Sequence, residues 1–339
     1  MEKIEAWADE RLFKKVYGCL AGVAVGDAMG MPSAGYTPDM IKERFGVIQN
    51  LLDAPDDHPF HAGLRKGHVT DDTELTMLVV RMILEDGRVT PQGMGRRILK
   101  WATDGHLLET GLLGPSTSRA IHMLMKGMDP VETGRYGTTN GAAMKISPIG
   151  IIDLGRQEQL IDDVEKVCLP THGTSVAISA ASAVAGAIAE ALTPEPTVST
   201  VLKTAKICAV LGEKRGRPVA YPSIEKRIEL AIDLIGRVGS PSKAAEILYN
   251  NIGADVSCAN SVPTAFGIFI ASRGDPMKTI KSAVNMGGDT DTIGAIAGGI
   301  AGAYGGIEAF PSNIVNQVEE ESQLELGEVT KKLLRFIGK

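Results

Sequence analysis

Aromatic residues are scarce in this chain: two Trp, six Tyr and seven Phe among 339 residues, or 4%. Alternation of apolar and polar residues is equally scarce. Both absences argue against a sandwich or barrel, whose strands draw on aromatic and β-branched side chains. The four cysteines, Cys19, Cys168, Cys208 and Cys258, are far apart and form no CxxC pair. That spacing excludes a zinc ribbon and gives no disulfide framework. Each sits among apolar neighbours and is expected to be a buried free thiol, as suits a reducing cytoplasm. No run of 18 residues is free of polar interruption, so no membrane span is expected. The opening "MEKIEAWADERLFKK" is charged and lacks the apolar core of a signal peptide. Positive charge is not in excess either. The formal charge is −6, which disfavours nucleic acid or a membrane surface as general partner. Basic residues gather only in "GEKRGRPVAYPSIEKR", as Lys214, Arg215, Arg217, Lys226 and Arg227. That stretch reads first as a solvated loop and helix start, with a substrate-facing loop as the alternative.

What the chain has in quantity is helical periodicity. Leu12, Val16, Cys19, Leu20 and Val23 make one helical stripe. Leu75, Leu78, Val79 and Met82 make another, and Ile293, Ile296, Ala297 and Ile300 a third. "TSVAISAASAVAGAIAEAL" reads as a buried helix stopped by "TPEPT". Further helices are expected over about 91–103, 156–168, 198–211, 224–237, 241–250, 259–272, 276–285, 311–319 and 323–337. With 44% hydrophobic residues and no evident linker or repeat, the expectation is all-α: a single many-helix domain over residues 1–339. Glycine adds a detail. Gly18, Gly22 and Gly26 recur every four residues, as do Gly294, Gly298, Gly302 and Gly306. Glycine costs about 1 kcal/mol per helical site relative to alanine, so its repetition on one face predicts a close backbone approach. Antiparallel packing of the two stripes would set Gly26 against Gly294 and Asp27 near Asp291.

Two knots of acids precede apolar helical stripes: Thr70, Asp71, Asp72 and Thr73 in "HVTDDTELTM", and Asp289, Thr290, Asp291 and Thr292 in "GGDTDTIGAI". One acid at such a point serves as a helix cap and meets the positive end of the dipole. Two acids with flanking threonines exceed what a cap requires. Gathered together, four carboxylates repel one another unless protonated or neutralised. Two divalent ions would balance them. Oxygen ligands from Asp and Thr suit Mg²⁺ or Mn²⁺ rather than zinc, and two such ions about 3.5–4 Å apart can activate one water.

Four segments, "GCLAGVAVGDAMGMP", "GHVTDDTELTM", "NGAAMKISPIG" and "AVNMGGDTDTIGAIAGGIAGAYGG", resemble in order the signature blocks of the ADP-ribosylglycohydrolase family. The resemblance implies an all-helical bundle with a binuclear site for two Mg²⁺ or Mn²⁺ ions, held by Thr70, Asp71, Asp72, Asp289, Asp291 and Thr292. It places Asp27 beside the metals. Catalytic work is expected from Asp27, Asp71, Asp289 and Asp291, one of which takes a proton from water. The loop Asn140, Gly141, Ala142, Ala143 and Met144 matches one that wraps the ribose and phosphates, an ordinary Gly/Ala turn being the alternative, and His172 matches a histidine near the substrate, with a helix-start histidine in a structural hydrogen bond as the alternative. Two positions depart from the pattern. Ala34 stands where many family hydrolases carry a glutamate at the scissile region, and Lys145 stands where arginine is common. The expected activity is hydrolysis of an N-ribosyl bond in an ADP-ribosyl conjugate or a smaller nucleoside-like riboside. The alternatives are an impaired relative that senses ADP-ribose or a nucleotide, and a helical scaffold whose acids only cap.

Overall fold

The computed structural model describes residues 2–110, 113–236 and 238–338. The expected domain ends at residues 1 and 339, and the last residue of the helix expected over 224–237, lie outside the described residues. Among those described the chain is all-α, with no strand and only two isolated bridges, Thr139 to Ser257 and Thr174 to Arg217. One continuous hydrophobic core runs from Val16 to Leu333. No helix among the described residues is long and apolar enough to cross a membrane. The four cysteines are free and buried.

Most periodic segments form the helices expected of them. Pro91–Asp104, Gln157–His172, Val198–Gly212, Pro241–Asn251, Cys258–Ala271, Pro276–Val284, Ser312–Glu321 and Leu326–Ile337 each match an expected range within a few residues. Several announce their starts by proline in the first turn behind a capping side chain. Thr90 accepts from Gly93 N–H, Ser240 from Lys243 N–H and Asp275 from Lys278 N–H. Ser175–Ala191 is buried along almost its whole length. Its carboxyl end meets the ammonium of Lys15, which donates to Ala191 O at 2.7 Å, a carbonyl of the last turn, and to Thr193 O at 2.8 Å in the segment beyond it. Pro38–Phe45 and Pro115–Met125 had no counterpart in the periodicity, because each is short and buries few apolar residues.

The longest helix, Glu2–Gly30, packs along Thr290–Gly305 more extensively than any other pair. The glycine stripes face each other, as their spacing suggested, and the helices run antiparallel. A β-carbon on Gly18 would lie 2.5 Å from the carbonyl oxygen of Gly302, and one on Gly294 would lie 2.5 Å from that of Gly26. Gly22 and Gly298 crowd each other more tightly still. Only hydrogen fits between these backbones. Two details differ from the expectation. Gly306 meets Gly18 across the seam, where a β-carbon on Gly18 would lie 2.6 Å from Gly306 C, but it stands just past the helix: its φ of +77° is a conformation that side chains disfavour. The seam also extends to Gly30, where a β-carbon would lie 2.5 Å from Asp291 Cα. The seam therefore ends at the second acid knot and fixes its height against the first helix.

The basic cluster resolves into surface structure. Arg215 pairs with Asp162 at 2.7 Å, Lys226 with Glu229 at 2.9 Å, and Arg227 donates to Ile252 O and Ala259 O.

Gly22→Ala is expected to force the two helices apart and to lower unfolding stability by at least about 1–3 kcal/mol, the usual range for overpacking. Gly239→Ala, where a β-carbon meets nothing within 4 Å, is expected to stay within about 0.5 kcal/mol. Urea titrations of the two variants check the contrast; equal stability would contradict the seam.

Candidate active site

The seam ends at a cavity of about 500 Å³, within the range of small-molecule sites. Asp71, Asp289, Asp291 and Thr292 line it, with Asn140, Gly141 and Met144 on one side and Ala34, Gly35, Phe60 and His61 on another. Four of its lining residues are aspartates, Asp255 being the fourth, and none is lysine or arginine.

The helices bearing the two knots differ from the rest in how they begin. Thr70 and Asp289 occupy the cap positions of Asp71–Asp86 and Thr290–Gly305, yet neither side chain caps its own helix. The reading of the knots as simple caps fails there. The cap of Asp71–Asp86 comes from another element. Asp27, on the first helix and fully buried, accepts from Thr70 N–H at 3.0 Å and Thr73 N–H at 3.1 Å. It also accepts from the hydroxyls of Thr70 at 2.8 Å and Thr73 at 2.6 Å. Four donating groups on one carboxylate fix the first knot to the glycine-bearing helix. Asp27 does not line the cavity, and both its oxygens are engaged. The expectation that it takes a proton from water is therefore corrected.

The second knot depends on glycine in its turn. Gly287 and Gly288 have φ of +88° and +81°, and a β-carbon on Gly288 would strike Ala254. The turn holds Asp289 N–H on Ala254 O at 2.7 Å. Thr290 hydrogen-bonds back to Gly30 O at 2.9 Å. The two knots then meet directly, because Asp72 Oδ2 accepts from the Thr292 hydroxyl at 3.3 Å and lies 3.3 Å from that of Thr70, whose hydrogen goes to Asp27. Its other oxygen, Oδ1, is buried without a partner.

The electrostatics follow from this crowding. Burial, then Asp291 and Asp27, push the Asp71 carboxyl up to about 7. Burial, then Asp27 and Asp71, raise Asp72 well above the carboxylate range, and burial with Asp291 does the same to Asp289. Asn140 steadies Asp289 by donating its amide to Oδ2. Asp291 goes the other way. Burial would raise it, but His61 Nε2 at 3.2 Å from Oδ2 more than offsets that and holds Asp291 low. His61 is correspondingly raised, the pull of burial being outweighed by Asp291, Asp27 and Asp71.

Other expected contacts are redistributed. Ala142 and Ala143 are buried and do not line the cavity. His172 does not reach it either, which corrects its expected substrate contact. It is fully buried, with Nδ1 at 2.8 Å from Thr171 Oγ1 and Nε2 at 2.7 Å from Thr139 Oγ1. Its ring packs beneath Gly141, where a β-carbon would lie 2.8 Å from Cε1. Lys145 is also fully buried and ties Gly141 O to Thr171, so it props the loop from behind. Burial lowers its pKa to about 8. Ala34 does lie on the cavity wall. His61 and Phe60 were missed because they sit in a nonperiodic loop. The "HPFH" aromatic cluster, in a chain so poor in aromatics, was the available signal.

Among the described residues, no three Asp, Glu, His or Cys side chains close around one point at metal-ligand distance. The expected two-ion site is therefore not laid out ready-made. The donor set nonetheless fits hard cations: it is all oxygen, its carboxyls are raised by one another, and Asp72 Oδ1 is a buried acceptor with nothing to accept.

Residues 8–337 match the family model described as ADP-ribosylglycohydrolase, and the chain belongs to that family. It is 32% identical over 325 residues to the Escherichia coli K12 protein YegU, covering 95% of this chain and 97% of that one. It is 26% identical to the Bos taurus ADP-ribosylhydrolase ARH3, covering 89% and 88%. A solved structure described as an ADP-ribosylglycohydrolase-related protein complex shares the fold, with a TM-score of 0.72 at 23% identity over 96% of this chain and 99% of that one.

Asp27→Asn would point an amide N–H at backbone N–H donors of Thr70 or Thr73. It is expected to cost about 1–3 kcal/mol of stability in metal-free protein, read as a lowered urea midpoint. An unchanged midpoint would show that Asp27 does not anchor the first knot.

Proposed function

We propose that this member of the ADP-ribosylglycohydrolase family is a metal-dependent hydrolase of a ribosyl glycosidic bond, acting on an ADP-ribosyl conjugate or a smaller N-riboside. The observation that carries this reading is the partnerless buried oxygen of Asp72 inside a cluster of mutually raised carboxyls beside an open cavity. A scaffold gains nothing from such a cluster, since each uncompensated buried acid is destabilising. Two divalent ions held by Thr70, Asp71, Asp72, Asp289, Asp291 and Thr292 would neutralise the acids and act as Lewis acids toward substrate oxygens.

The protein's own groups divide the remaining work. Asn140 and His61 orient Asp289 and Asp291. That leaves Asp71, on the cavity wall, as the carboxylate assigned the proton from the attacking water. The water oxygen forms a bond to the anomeric carbon, and the glycosidic bond breaks. Its electron pair departs with the leaving group, which takes up a proton from solvent while Asp71 returns its own to solvent. The carboxylates facing the cavity favour the positive charge that builds on the ribose during cleavage. The loop at Asn140–Gly141 borders the site with backbone and a short amide, and Lys145 and His172 keep it in place from below.

A second reading, a sensor that binds ADP-ribose or a nucleotide without cleaving it, draws on one observation. Ala34 offers a methyl group on the cavity wall where many family hydrolases have an acid. Turnover separates the two readings.

Millimolar Mg²⁺ or Mn²⁺ is expected to raise the melting temperature of metal-stripped protein by mass action. Asp72→Asn should abolish most of that rise. Asp71→Asn should lower turnover of any accepted riboside by about 10²–10⁴-fold. A melting temperature indifferent to either metal would refute the metal-dependent reading. A metal-induced rise without turnover of any ADP-ribosyl or nucleoside substrate would favour the sensor.

A further inference from the structure

The loop that covers the acid cluster carries more than His61. His58 is buried, and its Nδ1 accepts the backbone N–H groups of Phe60 at 3.1 Å and His61 at 2.9 Å. One imidazole thus anchors the backbone at Phe60 and His61, two and three positions further on. Its ring lies 5.0 Å from Tyr36 and 5.1 Å from His61 between centroids, and Phe60 meets both histidines edge-on at 6.2 and 6.3 Å. Arg44 closes the far side over the Tyr36 ring at 4.9 Å. Two aromatic residues and two histidines thus pack together in one loop cluster.

Phe60 is the outermost member. It is 50% exposed and lines the cavity. Its ring lies directly against Gly35, whose φ is +79° and whose β-carbon, were there one, would be 2.8 Å from Phe60 Cε2. Ala34, Gly35 and Phe60 all line the cavity, so the ring stands on the same wall as the alanine. That surface adjoins the acid cluster, because His61 follows Phe60 and bonds Asp291. The cavity's lining contains no lysine or arginine to pair with an anionic leaving group.

From the aromatic wall set beside Asp291, we infer that Phe60 is a specificity-determining residue and that the leaving group is a flat, uncharged aromatic ring stacked on it. The substrate class is then a ribonucleoside or similar N-riboside. The inference rests on the proposed hydrolysis and narrows it. A flat ring needs no charged partner, matches the half-exposed ring of Phe60 on the cavity wall, and takes its affinity from stacking, which is tolerant of ring identity. A heteroaromatic base also departs more readily than an alkyl amine, which lessens the need for an acid at Ala34.

The test compares wild type with Phe60→Leu, which keeps an apolar side chain at an exposed position but removes the ring. Adenosine, uridine and nicotinamide riboside are assayed beside ribosyl-arginine, which carries no aromatic ring, at saturating Mn²⁺, and binding of all four to metal-free and Mn²⁺-loaded protein is measured by calorimetry. The expected result is a rise in Kd and KM of roughly 5- to 100-fold for the aromatic ribosides, with ribosyl-arginine unaffected. An equal effect on both classes, or no effect on either, would overturn the assignment. Absence of turnover with nucleoside binding that weakens in Phe60→Leu would defeat the hydrolase reading but keep the stacking site. Absence of nucleoside binding to wild type would overturn the stacking site whatever the enzyme hydrolyses.

Discussion

The structure depends on a close approach of two backbones. Along Glu2–Gly30 and Thr290–Gly305, glycine faces glycine at a separation where a single added carbon would overlap a carbonyl. Gly18, Gly22 and Gly26 do not serve flexibility here, since each lies inside a helix where glycine is unfavourable. Their value is distance. Because the helices touch, Gly30 meets the backbone of Asp291, and Asp27 comes within hydrogen-bond reach of Thr70 and Thr73. Two acid knots more than two hundred residues apart in sequence are thereby brought to one point.

That gathering creates an electrostatic problem, and the surrounding residues solve only part of it. Asp27 is satisfied by four donating groups, Asp289 by Asn140 and Asp291 by His61. Asp72 keeps one oxygen unpaired, and Asp71 and Asp72 are held above the normal carboxylate range by burial and by their neighbours. The partial compensation is informative. A fully satisfied polar network would be a structural device, whereas this one retains capacity for positive charge and borders open volume.

Much of this was legible in the chain. Four-residue glycine spacing predicted the helix pair, because helix geometry converts spacing into a face; the antiparallel direction, and with it the Gly26–Gly294 contact, was a supposition that spacing alone does not fix. Doubled acids at helix starts predicted a shared site, because a cap needs only one acceptor. Other features were not legible, for physical reasons. Asp27 has the same sequence appearance as a catalytic acid, and only its four donating partners reveal an anchor. His172 and Lys145 carry functional side chains whose direction is set by packing under Gly141 rather than by their own helices. Phe60 and His61 lie in a segment without periodicity, held by His58, so nothing in spacing announced that they face the acids. Gly306 continued the stripe by count, but its positive φ belongs to a helix end.

The claim at the centre is that these carboxylates are a cation site built at the end of a glycine seam. Anomalous diffraction at the manganese edge from crystals grown with Mn²⁺ tests it directly. The account predicts two peaks among Asp71, Asp72, Asp289 and Asp291, within ligand distance of Asp72 Oδ1. A fully ordered cluster without anomalous density, in crystals shown to contain manganese elsewhere, would contradict it.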